Sequence, residues 1–133
     1  MRHILVVEDD LVNAMVFRTV LEKRGGYRVT VTEKAEEVLE RSGSGEVDLV
    51  IMDVSLTNTR WRGQAVNGVD LCRLLKSDAR TASIPVLLAT AHAMSGDSAQ
   101  LLNASGADGY VAKPIVDHTQ FVDQVRSLLE KAA

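Results

Sequence analysis

In the stretch VDLVIMDVSLT, Val47 to Thr57, four apolar residues run directly into a carboxylate, Asp53. The N-terminal run HILVV is likewise followed by acids, Glu8-Asp9-Asp10. Two further apolar runs lead into other chemistry, VLLA into Thr90 and GYVA into Lys113-Pro114. Taken singly, each residue has an ordinary explanation. Asp9 or Asp10 could cap a following helix, which is the better reading for Asp10. Thr90 could belong to a turn, and Lys113 to the solvated surface. Their shared position, at the end of a short apolar run, asks for a common explanation.

If these ends lie together, acids crowd beside one ammonium. Carboxylates about 5 Å apart repel by roughly 3 kcal/mol per pair at an effective dielectric near 20. Such a cluster costs stability unless a cation binds or a pKa rises, and Lys113 alone cannot balance it. The donors on offer are all oxygen, the set that holds Mg²⁺, with Mn²⁺ able to substitute. No histidine–cysteine cluster competes for a softer metal. There is no base beside a serine or cysteine, and no acid pair plainly set across a sugar cleft. A carboxylate, a metal site, a lysine and a hydroxyl are the parts for forming an acyl phosphate on an aspartate. Phosphoryl transfer needs chiefly positioning and neutralisation of oxygen charge, and this constellation offers both.

The elements that must position these residues follow from the hydrophobic pattern. The apolar runs 3–7, 28–31, 49–52, 86–89 and 109–112 are mostly continuous rather than alternating, which indicates strands buried on both faces of a parallel sheet. RVTV at 28–31 alternates better and suits an edge. Helical periodicity fills the intervals. Val12, Val16, Phe17, Val20 and Leu21 mark a stripe over 11–24, stopped by Gly25-Gly26. Further helices are predicted over 33–42 (Ala35, Val38 and Leu39 inward), 68–78 and about 95–105. The last begins at Asp117, where DHTQ reads as a capping box with Gln120. Five βα units imply an α/β fold, (βα)5, with a doubly wound five-stranded parallel sheet in the flavodoxin-like order 2-1-3-4-5. Such sheets build their sites beyond the carboxyl ends of the strands, where Glu8, Asp9, Asp53, Thr90 and Lys113 fall.

A chain of 133 residues with 46% hydrophobic content suits one domain over 1–133. A net charge of −3 and the lack of a basic tail argue against direct nucleic-acid binding. No apolar run approaches the roughly 18 residues of a membrane span, and the N-terminus does not read as a signal peptide. One cysteine, Cys72, excludes an intramolecular disulfide and suits a small buried helical residue; together these features predict a cytoplasmic protein.

With ILVVEDD, DLVIMD, VLLATAHAM and GADGYVAKPI in that order at strand ends, the chain resembles the response-regulator receiver domain over essentially its whole length. The resemblance implies that Asp53 is the phosphoryl acceptor. It makes Asp9 a direct Mg²⁺ ligand, Glu8 an outer one, and the Ser55 carbonyl a contributor alongside Asp53. It implies that Thr90 and the Ala91 N–H bind the phosphoryl group with Lys113, and that the Lys113–Pro114 bond is cis. Tyr110 matches the position of an aromatic switch that turns inward as Thr90 moves; a plain core aromatic is the alternative. The implied donor is a histidine kinase or histidine phosphotransfer protein. The implied output is a protein target on the face of the fourth helix, fifth strand and fifth helix, or onward phosphotransfer. Met1 just before the first strand favours a stand-alone protein over a receiver excised from a hybrid kinase, and the chain's end after the fifth helix leads to the expectation of output through protein contacts rather than an attached output domain.

Two departures stand out. Receivers of this kind usually carry proline four residues after the acceptor, where this chain has Thr57, and the helix-opening glycine is displaced to Gly68. The segment 57–67 is therefore an extended loop, carrying the sole tryptophan, Trp61, between Arg60 and Arg62. It is either a surface insertion whose Trp packs on the nearest helix or a docking element. His92 is either solvent-exposed or an influence, with Ser55, on the lifetime of the acyl phosphate. A flavodoxin-like cofactor binder is disfavoured by an acidic rather than glycine-rich loop after the first strand. An aspartyl-phosphate phosphohydrolase is disfavoured by the lack of a cap.

Overall fold

The computed structural model describes residues 1–91 and 98–132. Strands β1 (His3–Val7), β2 (Arg28–Thr32), β3 (Leu49–Asp53), β6 (Val86–Thr90) and β7 (Gly109–Ala112) form one parallel sheet in the order β2-β1-β3-β6-β7. Counting only this sheet's strands, that is the expected 2-1-3-4-5, with β2 at an edge. Between β3 and β6 two short strands, β4 (Arg60–Trp61) and β5 (Gln64–Ala65), make a separate antiparallel hairpin. Its two-residue turn, Arg62-Gly63, has φ of 53° and 81°. Positive φ at both central positions matches the right-handed twist of the flanking strands. The extended loop is thus a built hairpin.

The helices are α1 (Leu11–Lys23), α2 (Ala35–Gly43), α3 (Gly68–Ser77), α4 (Ser98–Ser105) and α5 (His118–Ala132). Residues 95–97 of the predicted fourth helix, and His92, lie outside the described residues. The side chains of β1, β3 and β6 alternate between two cores, and that is why these strands read as unbroken apolar runs. Ile4, Val6, Leu49, Ile51, Leu87 and Ala89 pack with Phe17 and Leu21 of α1 and Phe121, Val125 and Leu129 of α5. Leu5, Val7, Val50, Met52, Val86 and Leu88 pack on the other side with Val38 of α2 and Leu71, Cys72 and Leu75 of α3. Phe17 and Phe121, with ring centroids 5.6 Å apart, tie α1 to α5. Cys72 is fully buried, and desolvation pushes its thiol up to about 11, so it remains a neutral packing residue.

The helix starts follow capping chemistry. Asp10 accepts hydrogen bonds from the Val12 and Asn13 N–H groups at the start of α1. Asn67 and Asp70 form a reciprocal capping box on α3, and Asp117 accepts from the Gln120 N–H ahead of α5. One expectation is corrected. Val12 is 72% exposed, and the buried stripe of α1 is Ala14, Phe17, Val20 and Leu21. At about 100° per residue Val12 stands roughly 150° from the centre of that stripe, on the solvent face of the helix. Among the described residues no helix is long and apolar enough to cross a membrane.

Candidate functional site

Register brings the residues at the strand ends together. Val7 pairs with Met52, so the next residues, Glu8 and Asp53, are neighbours. Asp53 pairs with Ala89, which precedes Thr90, and Thr90 pairs with Ala112, which precedes Lys113. Backbone bonds continue the ladder past the strands, from Val54 N–H to the Ala89 carbonyl at 3.0 Å and from Lys113 N–H to the Thr90 carbonyl at 2.9 Å. Lys113 and Pro114 are joined by a cis peptide bond.

From the end of β7 the Lys113 ammonium reaches across β6. It donates to Asp53 Oδ1 at 2.8 Å and to Glu8 Oε1 at 3.1 Å. Glu8 and Asp53 are 3% and 2% exposed, and Thr90 is equally buried at 2%. Asp9 is half-buried and Ala91 exposed. Oxygen atoms of Glu8, Asp9 and Asp53 lie within 4.8 Å of one another. Ser55 donates its N–H to Asp53 Oδ1 at 3.1 Å, and Asp10 its N–H to Glu8 Oε2 at 3.2 Å. Tyr110 is half-buried on β7 against the core that includes α3, and its carbonyl accepts from Gln124 of α5.

The charges are unequal. Burial, and next the adjoining Asp53 carboxyl, push Glu8 up to about 7. Burial also acts to raise Asp9, but hydrogen bonds from the Thr57 N–H and hydroxyl outweigh it and hold this carboxyl below its ordinary range. Burial disfavours the Lys113 ammonium, yet its bonds to Asp53 and Glu8 outweigh that and raise its pKa. Fully ionised, three carboxylates and one ammonium leave two uncompensated negative charges, which a divalent cation would cancel. The donors are hard oxygens, so the residues fit Mg²⁺.

Two structural contributors were not assigned from sequence. Thr57, known only as a departure, holds Asp9 through two hydrogen bonds at 3.1 and 2.9 Å. Gly68, identified as the opening of a helix, lies so close to the Asp53 backbone that an added Cβ would sit 2.7 Å from its carbonyl carbon. The sequence signals were the missing proline and the displaced glycine; the contacts themselves needed coordinates.

The family model described as response regulator receiver domain matches residues 4–126. The chain belongs to that family. A curated relative, the polar-differentiation response regulator DivK of Brucella ovis, is 30% identical over 131 residues, 98% of each chain. The signal receiver domain of a signal transduction histidine kinase from Syntrophus aciditrophicus superposes with a TM-score of 0.80 at 27% identity, covering 98% of this chain and 92% of that one. The receiver domain of sensor histidine kinase PA1611 from Pseudomonas aeruginosa PAO1, solved with a magnesium ion coordinated in its active-site cleft, has a TM-score of 0.73 at 25% identity, covering 98% of this chain and 95% of that one. This chain is a receiver domain of two-component signalling, with the acidic cluster such domains carry at the sheet's carboxyl edge.

Proposed function

We propose that this receiver takes a phosphoryl group onto Asp53 from a histidine kinase or histidine phosphotransfer protein. The observation that carries the reading is the buried Asp53 carboxylate, bridged to Lys113 at 2.8 Å inside a cluster of oxygen donors. In the transfer, an Asp53 carboxylate oxygen forms the new O–P bond as the N–P bond to the donor's histidine breaks. The imidazole leaves with the electron pair and takes a proton. Mg²⁺ held by Asp9, Asp53 and the Ser55 carbonyl, with Glu8 as an outer partner, would neutralise charge on the phosphoryl oxygens; Mn²⁺ could take its place. Lys113 then exchanges its bond with the Asp53 carboxylate for one with a phosphoryl oxygen. The Thr90 hydroxyl and the Ala91 N–H supply further donors. Movement of Thr90 towards the phosphoryl group draws Tyr110 inward and changes the α4–β7–α5 face for a protein target. Chemistry on the protein is therefore stoichiometric self-phosphorylation and autodephosphorylation rather than turnover of a substrate.

Because Asp53 is almost wholly buried, a donor must seat itself on the rim. Leu11, Val12 and Met15 of α1 and Val116 beyond Lys113 are 66–88% exposed there, an apolar surface suited to packing a donor's helices. The reading treats residues 1–133 as one receiver unit with the hairpin as an insert, working in the cytoplasm without direct contact with nucleic acid or membrane. Its test is transfer of label from a phosphorylated histidine kinase. The wild-type chain should acquire the label and Asp53→Asn should not; equal labelling of both would overturn the assignment.

A further inference from the structure

The inserted hairpin is not an appendage hung on the surface. Its approach begins at Thr57, whose N–H and hydroxyl both donate to Asp9 Oδ2, at 3.1 and 2.9 Å. Two residues on, Thr59 is 3% exposed, and its hydroxyl donates to the Glu33 carbonyl ahead of α2 at 2.8 Å. The Val66 N–H closes the base by donating to the Thr59 carbonyl at 3.0 Å. At the other end Trp61 and Val66, alongside Leu39 of α2 and Leu74 of α3, pack against the core that contains Val38 of α2 and Leu71 and Leu75 of α3. From Thr57, bonded to one carboxylate of the acidic cluster, four residues of backbone, anchored midway at Thr59, therefore lead to an indole packed on the core beneath α2 and α3.

Two donors on one carboxylate oxygen fix the rotation of the whole carboxyl group, because turning it would break both bonds at once. Ligands held in this way bind metal better than ligands free to rotate, because less ordering remains to be done on binding. Asp9 has particular need of such support, since it follows β1 rather than belonging to it and no sheet pairing holds it.

We propose that Thr57 is a positioning residue for Asp9, and that the hairpin it opens is mechanically part of the Mg²⁺ site. The inference rests on the reading of Asp9 as a metal ligand. Two consequences follow. Loss of the Thr57 hydroxyl weakens Mg²⁺ binding although Thr57 never touches the ion. Mg²⁺ binding, by tightening Asp9, is felt along the hairpin at Trp61.

The test is Mg²⁺ titration of the full chain by calorimetry, with Trp61 emission followed in parallel, for wild type, Thr57→Ser and Thr57→Val. Serine keeps both donors, whereas valine keeps the shape and the N–H but lacks the hydroxyl. Thr57 is exposed, so neither change disturbs the core. Thr57→Val is expected to bind Mg²⁺ about tenfold more weakly, the lower end for loss of a group that supports a ligand. Thr57→Ser should stay within about twofold of wild type, as expected when both bonds to the ligand persist. The Mg²⁺-dependent change in Trp61 emission should be present in wild type and Thr57→Ser and reduced in Thr57→Val. Unchanged affinity in Thr57→Val, or equal weakening by serine and valine, would overturn the positioning role. Calorimetric binding with a silent Trp61 in wild type would overturn the coupling to the hairpin. Failure of the wild-type chain to bind Mg²⁺ at all would instead count against the metal site under Proposed function.

Discussion

Replacing Gly68 by alanine tests whether the fold places Asp53, the proposed acceptor, as tightly as its contacts imply. Gly68 opens α3, donates its N–H to the Val54 carbonyl at 3.2 Å, and stands directly against the Asp53 carbonyl group. An added Cβ would lie 2.7 Å from the Asp53 carbonyl carbon and 3.0 Å from Val54 Cα. Carbon atoms sit comfortably at about 3.5 Å, and the Asp53 carbonyl oxygen lies nearer still, so α3 or the end of β3 must retreat by at least about 0.8 Å. These are backbone atoms, and no rotamer change can relieve the contact. Overpacking of this kind costs about 1–3 kcal/mol. Alanine's advantage over glycine in a helix recovers up to about 1 kcal/mol, less at a first position. The expected net loss is about 1–2 kcal/mol in urea denaturation. Function should suffer more, because a displacement approaching 1 Å at a reacting group can cost about 100-fold. Phosphorylation by acetyl phosphate, followed by intact mass, should therefore slow by about 10- to 100-fold. Wild-type stability together with a wild-type rate would refute the reasoning. Lost stability with an unchanged rate would show that α3 does not set the position of Asp53.

The acidic cluster carries its own pH signature. Glu8 titrates near 4.5 when unfolded and at about 7 when folded, so the folded chain holds the extra proton and stability falls as pH rises through that window. Between pH 5.5 and 8 in EDTA the loss should reach at most about 2 kcal/mol. Asp9, lowered from 3.8, has completed its contribution below this window, and Lys113, raised from 10.5, does not lose its own until above it. Millimolar Mg²⁺ should flatten the profile, and a metal-independent slope would contradict the site. Lys113→Met leaves Glu8 and Asp53 buried without their ammonium and should cost about 3–5 kcal/mol at pH 8 in EDTA. The loss should be smaller at pH 5.5, where Glu8 takes up a proton; an equal loss at both pH values would argue against the pairing.

The sheet was legible because its strands are buried on both faces. The run HILVV at 3–7 and the strand His3–Val7 are the same residues, and continuous apolar character left little else for them to be. Topology then did what local pattern could not, joining Glu8 to Lys113 across 105 positions of sequence. The hairpin escaped because strands of two residues carry no periodicity, and because its turn is Arg62-Gly63 rather than the asparagine–glycine pair that signals such turns. Val12 falls outside the core because an i, i+4, i+8 row drifts about 40° per step, carrying Val12 away from the face that Phe17 and Leu21 define. The Thr57–Asp9 contact spans 48 residues between a strand end and an inserted loop, and no sequence rule relates the two.

The proposed role of the buried carboxylate at position 53 as phosphoryl acceptor underlies every other assignment in the site. The most direct measurement is peptide mass mapping after exposure to acetyl phosphate and Mg²⁺, with the acyl phosphate trapped by borohydride reduction. Modification confined to the peptide containing Asp53, dependent on Mg²⁺ and absent from Asp53→Asn, is the expected result. A phosphoryl group on any other residue of the wild-type chain, or undiminished uptake by Asp53→Asn, would contradict it.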